Sequence, residues 1–255
     1  MLHIVTHPSD GPVTLPVLLI AHGLFGSARN WNVTARKLAA GRDVVAVDMR
    51  NHGASPRFAK QSYADMAGDL AEVARVYGQV DLLGHSMGGK AAMQLALTEA
   101  AVLRRLVVAD IAPVAYGHDQ SQHIAAMRGL DLTGLTSRSE ADQRLSGAVE
   151  DPALRAFFLQ SLDIKAQPPV WRLNLDVLQA EMPGIIGWPE TVGRFGGPAL
   201  FLTGSESQYV RPEYRDKIGA LFPAARFVKL TGAGHWLHAD QPRAFEETVR
   251  AFLAA

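Results

Sequence analysis

The 255-residue chain contains no cysteine and carries no excess of charge of either sign. The lack of thiols excludes disulfides, thiolate nucleophiles and thiolate metal sites. With 25 basic and 25 acidic side chains, the chain lacks the basic surface that nucleic acid or an anionic membrane requires. No apolar run approaches the roughly 20 residues that cross a bilayer, and residues 1–10 do not have the pattern of a signal peptide. We therefore expect a cytoplasmic protein that acts on a small molecule and binds neither nucleic acid nor membrane.

Short apolar runs alternate with longer amphipathic ones along most of the chain. The apolar runs are continuous and rich in Val and Leu, which is typical of parallel strands buried on both faces. Strands are predicted at residues 2–6, as an edge strand, and at 17–21, 43–47, 80–83, 105–109, 199–203 and 226–230. Helices are predicted at residues 28–40, 62–77, 87–99, 211–222 and 242–253. This alternation of strands and helices predicts an α/β fold with a mostly parallel central sheet flanked by helices.

The strand signal disappears between residues 113 and 189. Four helix-like pieces occur there, separated by Pro and Gly, near residues 119–128, 138–149, 152–162 and 174–180. We expect this block to be a helical cap inserted into a core formed by residues 1–112 and 190–255. Open α/β sheets bind ligands at their carboxyl edge, so the cap is expected to cover that edge.

A nucleophile elbow is predicted at Gly84-His85-Ser86-Met87-Gly88, between a predicted strand and a predicted helix. The elbow holds its serine in a strained conformation, and the glycines allow strand and helix to approach closely. The alternative is a plain strand-to-helix turn. His85 is expected to pack beside the elbow.

A serine hydroxyl needs a base to become an effective nucleophile. His235 follows the last predicted strand and precedes the last helix, which preserves the chain order of serine first and histidine last. His238, three residues later, is the alternative base.

Acyl transfer also requires amide donors that stabilise an oxyanion. The amide of Met87, directly after Ser86, is one predicted donor. The second is the amide of Leu24, in the glycine-rich segment that follows the strand at residues 17–21. A plain glycine-rich turn is the alternative for that segment.

Four segments together resemble the α/β-hydrolase superfamily: residues 22–26, 48–55, 84–89 and 234–240. The likeness spans nearly the whole chain. The amino-acid sequences of residues 50–53 and 235–240 more closely resemble those of small bacterial carboxylesterases related to a mitochondrial α/β-hydrolase-domain protein. That resemblance implies the α/β-hydrolase fold and a serine hydrolase acting on short or medium acyl esters, with acyl thioesters as a further option.

The acid of the triad departs from the pattern of the superfamily. Most relatives carry it three residues after the glycine that ends the penultimate strand, but Gly204 is followed at that distance by Ser207. Asp110, Glu206 and Asp176 remain as candidates. We favour Asp110 because it ends the strand after that of the nucleophile, an alternative acid location in similar hydrolases and a rigid support.

No metal or cofactor is expected, because the chain has no H-E-x-x-H spacing, dinucleotide fingerprint or phosphate loop. The substrate pocket is expected to be walled by Phe25, Met87, Tyr209 and Leu237, with the cap aromatics Trp188 and Phe157. Asp48 and Arg50 are interpreted as a structural pair that braces a loop.

Three rival functions share this pattern of residues. Within enzymes, a carbon-carbon bond hydrolase or a cofactor-free haloperoxidase can use the same triad, and the fold does not distinguish them. A ligand receptor on a hydrolase fold is the rival from another class. The sequence predicts no oligomeric state.

Overall fold

The computed structural model describes all 255 residues and contains nine strands. In chain order they are β1 (Ile4–His7), β2 (Leu18–Ala21), β3 (Val44–Val47), β4 (Val80–His85), β5 (Leu103–Ala109), β6 (Leu162–Asp163), β7 (Val170–Trp171), β8 (Ala199–Gly204) and β9 (Ala225–Leu230). Seven of them form one sheet in the order β1-β3-β2-β4-β5-β8-β9. Only β1 runs antiparallel to its neighbour, and the other neighbours are parallel. The predicted mostly parallel sheet is confirmed.

Helices cover both faces of the sheet. They are α1 (Asn32–Leu38), α2 (Tyr63–Tyr77), α3 (Met87–Thr98), α4 (Ser121–Gly129), α5 (Arg138–Leu145), α6 (Pro152–Leu159), α7 (Leu175–Ala180), α8 (Met182–Ile186), α9 (Arg215–Leu221), α10 (Leu237–Asp240) and α11 (Pro242–Ala254). Successive side chains of a strand point to opposite faces. Leu19 of β2 therefore packs on the face covered by α2 and α3, whereas Leu18 and Ile20 pack on the face covered by α1 and α11. None of the helices combines the length and hydropathy needed to cross a membrane.

The segment between β5 and β8 differs from the sequence prediction in two respects. It holds five helices instead of four, and the short strands β6 and β7 pair antiparallel within it, with Leu162 opposite Trp171. The additional helix, α8, contains Pro183 and Gly184, which the sequence suggested as breakers. Pro183 lies in the first turn of α8, where a missing N–H removes no helical hydrogen bond.

Asp48 and Arg50 brace the loop after β3, but they do not pair with each other. The carboxylate of Asp48 accepts hydrogen bonds from the amides of Ala28 and Ala54, both at 2.8 Å. The guanidinium of Arg50 pairs with Asp69 at 2.6 Å. The expected pair is therefore wrong, because each residue finds its partner in a different element.

Candidate active site

Ser86 lies at the turn between β4 and α3, in the left-handed region with φ 52° and ψ −120°. Such a conformation costs on the order of 1–3 kcal/mol in a non-glycine residue and persists only where the surroundings enforce it. Two glycines make the turn possible. A Cβ on Gly84 would lie 2.3 Å from the carbonyl oxygen of Gly88, and a Cβ on Gly88 would lie 2.4 Å from that of Ala21.

A hydrogen-bonded chain of three side chains begins at this serine. Nε2 of His235 lies 3.0 Å from Oγ of Ser86, and Nδ1 lies 2.7 Å from Oδ2 of Asp110. Because a carboxylate only accepts, Nδ1 carries the proton and Nε2 is left to accept from the serine hydroxyl. The structure thus brings together residues of three separate segments that the sequence singled out. Asp110 follows β5, whose hydrogen bonds to β4 place it beside the elbow.

The carboxylate of Asp110 is fully buried and surrounded by donors. Oδ1 accepts from the hydroxyl of Thr203 at 2.9 Å and from the amide of Gly204 at 3.2 Å. Oδ2 accepts from the hydroxyl of Ser207 at 2.5 Å as well as from His235. A buried carboxylate requires such partners. Sequence reasoning missed the role of Ser207, although its place three residues after Gly204 was the available signal.

The alternative residues lie outside this chain of hydrogen bonds. Glu206 is exposed, and the side chain of Asp176 is 80% exposed and pairs with Arg128. The ring of His238 stacks on Trp31 with centroids 4.2 Å apart, and burial lowers its pKa to about 4. None of these three residues is placed to act as the acid or base beside Ser86.

Two aromatic neighbours hold the ring of His235 in place. Nε2 of His85 donates a hydrogen bond to the carbonyl of His235 at 2.9 Å, so His85 packs beside the elbow. Burial lowers the pKa of His85 well below its ordinary value, which keeps that ring neutral. Tyr209 stacks on the ring of His235 with centroids 3.9 Å apart.

Two backbone amides beside Ser86 are free to bind an oxyanion. Met87 begins α3, where the first amides have no helical partner. Leu24 lies in the turn from Gly23 to Gly26, and its amide donates to no acceptor in the protein. The next amide, of Phe25, is occupied by Nε2 of His52 at 3.2 Å.

A cavity of about 670 Å³ lies over the carboxyl edge of the sheet. Ser86 and His235 line it together with apolar side chains from both the core and the inserted segment, among them Leu24, Phe25, Leu154, Phe157, Ile185 and Tyr209. Such a volume and lining are typical of a site for a small, largely apolar ligand.

Two of the expected pocket residues do not line this cavity. Leu237 is fully buried in the core packed against α11, because α10 begins at this residue and turns its side chain inward. The preceding residue, Trp236, lines the cavity instead. Trp188 lies outside the cavity, with its ring 6.4 Å from that of Tyr63. The predictions for Leu237 and Trp188 are therefore wrong.

Sequence reasoning also missed a buried lysine in the cavity wall. Nζ of Lys90 donates to the carbonyls of Ile186 and Gly187 at 2.9 and 2.5 Å, at the end of α8. Burial lowers the pKa of Lys90 to about 7. No group of three or more His, Cys, Asp or Glu side chains is arranged to hold a metal ion.

A mostly parallel sheet, a strained serine after a central strand and a histidine after the last strand are together the features of an α/β hydrolase. The chain belongs to the alpha/beta hydrolase family, whose model matches residues 17–248.

Curated relatives and a solved structure agree with this assignment. The chain is 41% identical over 255 residues to the sn-1-specific diacylglycerol lipase ABHD11 of Mus musculus, covering 96% of this chain and 83% of that protein. It is 38% identical over 241 residues to esterase YbfF of Escherichia coli (strain K12), covering 93% and 92%. The solved structure of a marine microorganism esterase matches with a TM-score of 0.91 and 33% identity, covering 99% and 100%. The expectation of an α/β-hydrolase enzyme is confirmed, and it is of the esterase/lipase type.

Proposed function

We propose that the protein is a serine esterase that hydrolyses short or medium acyl esters, and acyl thioesters, through an acyl-enzyme on Ser86. The observation that carries this proposal is the hydrogen-bonded chain from Ser86 through His235 to Asp110 at the wall of a largely apolar cavity. The names of the relatives, an esterase and a diacylglycerol lipase, support an ester as the substrate.

The geometry supplies each group that the first step needs. Oγ of Ser86 attacks the acyl carbon while its proton moves to Nε2 of His235, and Asp110 stabilises the resulting imidazolium. The amides of Leu24 and Met87 bind the oxyanion. When the tetrahedral intermediate collapses, His235 donates the proton to the leaving alkoxide or thiolate, and the acyl group remains on Ser86 as an ester.

Water completes the reaction through the same groups. His235 removes a proton from a water molecule, the hydroxide attacks the acyl-enzyme, and the proton returns to Ser86 as the carboxylic acid departs. In this proposal residues 1–112 and 190–255 are the catalytic core. Residues 113–189 form a cap, since α6 and α8 of that segment supply part of the cavity wall.

The proposal is tested with p-nitrophenyl esters whose acyl chains range from acetyl to dodecanoyl. We expect multiple turnovers, a preference for short or medium chains set by the cavity of about 670 Å³, and loss of turnover in Ser86→Ala. Acid quenching followed by peptide mass spectrometry should find the acyl group on Ser86. Diacylglycerol and an acyl thioester are assayed in parallel. Full turnover in Ser86→Ala would refute the proposal.

A further inference from the structure

Three consecutive peptide units of the turn from Gly23 to Gly26 are held by hydrogen bonds. The carbonyl of Gly23 accepts from the amide of Gly26 at 3.0 Å and from Nδ1 of His22 at 2.7 Å. In a trans peptide unit the C=O and the N–H point in opposite directions. Anchoring the carbonyl of Gly23 therefore sets the direction of the Leu24 amide.

Phe25, the next residue of the turn, is held from two sides. Its φ of 64° lies in the left-handed region, which is unfavourable for a bulky side chain. The amide of Phe25 donates to Nε2 of His52 at 3.2 Å, and its carbonyl accepts from the hydroxyl of Ser161 at 3.0 Å. The two bonds hold Phe25 in this conformation and occupy its amide, so the amide of Leu24 is the one left without an acceptor.

The ring of His52 is fixed as a neutral acceptor. Its Nδ1 donates to the carbonyl of Arg50 at 2.8 Å, which leaves a lone pair on Nε2 for the amide of Phe25. Burial, with a smaller contribution from His22, lowers the pKa of His52 to about 3. The acceptor is therefore present at neutral pH.

Ser161 belongs to the inserted segment, and its backbone is fixed there. Its amide donates to the carbonyl of Phe158 at 2.9 Å, and its carbonyl accepts from the amide of Arg172 at 2.8 Å. The ring of Phe158 also meets that of Phe25 edge to face, with centroids 5.4 Å apart. The hydroxyl of Ser161 is 3.0 Å from the Phe25 carbonyl and buried, so the contact is shielded from water.

The inserted segment also contacts the loop that carries His52. An isolated β-bridge joins His52 to Leu173, and the amide of Asn174 donates to the carbonyl of Asn51 at 2.9 Å. Both bonds to Phe25 are thus connected to the inserted segment, one directly and one through this bridge.

We propose that the inserted segment positions the oxyanion hole: Ser161 and His52 hold Phe25 from opposite sides and so direct the Leu24 amide toward the reacting carbonyl. The inference rests on the function proposed for Ser86. Ser161 and His52 are positioning residues, since they act through the backbone of the turn and not on the substrate.

The first test compares Ser161→Ala with Ser146→Ala, in which the lost hydroxyl is exposed and bonds only to the carbonyl of Gln143. Turnover of p-nitrophenyl butyrate is measured together with the affinity for two ketones of equal chain length. A trifluoromethyl ketone adds to the serine and places an oxyanion in the hole, whereas the methyl ketone reports ground-state binding. We expect Ser161→Ala to lower kcat and trifluoromethyl ketone affinity by a similar factor of about tenfold, the value of one hydrogen bond. Methyl ketone affinity should not change.

The second test replaces His52. His52→Leu removes the acceptor for the amide of Phe25, and we expect a larger loss of kcat than in Ser161→Ala. His52→Gln keeps a side-chain oxygen that can accept from that amide, so it should recover part of the loss. If His52→Leu does not fold, Ser161→Ala decides the question, because it removes a single hydroxyl and leaves the apolar core unchanged.

Three outcomes would overturn the inference. These are unchanged kcat in Ser161→Ala, equal loss of affinity for both ketones, or loss of activity in Ser146→Ala as large as in Ser161→Ala. Failure of the proposed function is a different result, namely full turnover in Ser86→Ala. If Ser86→Ala abolishes turnover but Ser161→Ala and His52→Leu leave kcat unchanged, this inference alone is refuted and the proposed function stands.

Discussion

The hydroxyl of Ser207 donates a hydrogen bond of 2.5 Å to Oδ2 of Asp110, the same oxygen that accepts from His235. Ser207 stands at the position where most α/β hydrolases carry the acid, so in the proposed triad the serine supports an acid that follows another strand. The relationship gives separate roles to the two residues, and each can be tested by substitution.

Asp110→Asn should lower kcat on the order of a thousandfold or more, because an amide cannot stabilise the imidazolium of His235 and favours the wrong tautomer. The controls Glu206→Gln and Asp176→Asn remove carboxylates that the structure leaves exposed, and they should retain wild-type kcat. Steady-state kinetics at equal folded concentration checks this. Near-normal kcat in Asp110→Asn would remove Asp110 from the proposed triad.

Ser207→Ala should lower kcat by about tenfold, since a hydrogen bond to a charged group contributes roughly 1.5–3 kcal/mol and three other donors remain on Asp110. Ser207→Asp should be more harmful, because it places two carboxylates in contact. The double variant Asp110→Asn with Ser207→Asp should regain activity over Asp110→Asn alone. No gain in the double variant would show that position 207 cannot present an acid to His235.

Gly88→Ala should unfold more easily and lose activity, because its Cβ would lie 2.4 Å from the backbone oxygen of Ala21. We expect a loss of about 1–3 kcal/mol or more in the free energy of unfolding. Gly219→Ala is the matched control, since a Cβ there meets nothing within 4 Å in α9. It should be neutral or stabilising by up to about 1 kcal/mol. Equal urea midpoints for the two variants would contradict the prediction.

Lys90 should make the stability of the fold depend on pH. Burial lowers its pKa from 10.5 in the unfolded chain to about 7 in the folded one, so the folded protein holds fewer protons between these pH values. The contribution of Lys90 to the unfolding free energy is therefore least favourable below about pH 7 and rises above it, by at most about 1.4 kcal/mol per pH unit.

Urea unfolding of wild type and Lys90→Met at pH 6, 7, 8 and 9 measures this contribution. The wild-type free energy minus that of Lys90→Met should increase above pH 7. Lys229→Met, which replaces an exposed lysine of β9, should follow the wild-type pH dependence. Parallel curves for wild type and Lys90→Met would contradict the prediction.

The features that the sequence predicts well are those encoded in local patterns. Continuous apolar runs locate the strands, because residues such as Leu18 and Leu19 of β2 are buried on opposite faces of one sheet. The elbow around Ser86 is a five-residue pattern. The roles of His235 and Asp110 can be predicted because each residue follows a strand. In a parallel sheet the carboxyl ends of the strands lie at one edge, so residues that follow different strands become neighbours.

The features that the sequence does not predict depend on contacts between distant segments. Lys90 lies 96 residues from the carbonyl of Ile186 to which it donates, and no local pattern indicates that contact. The pocket prediction also fails at Leu237, where a four-residue helix decides that Trp236 and not Leu237 lines the cavity. Such choices follow from packing and not from the order of residues.

The position of Asp110 after β5 also has a consequence for redesign. Hydrogen bonds between β4 and β5 align Asp110 with Ser86, so in the proposed triad the loop after Gly204 does not have to supply the acid. In the loop that follows Gly204, Tyr209 lines the cavity and Ser207 donates a hydrogen bond to Asp110. Substitution of Tyr209 with Ser207 retained would therefore change the cavity wall and the stacking on the ring of His235, while the hydrogen bonds of Asp110 stay in place.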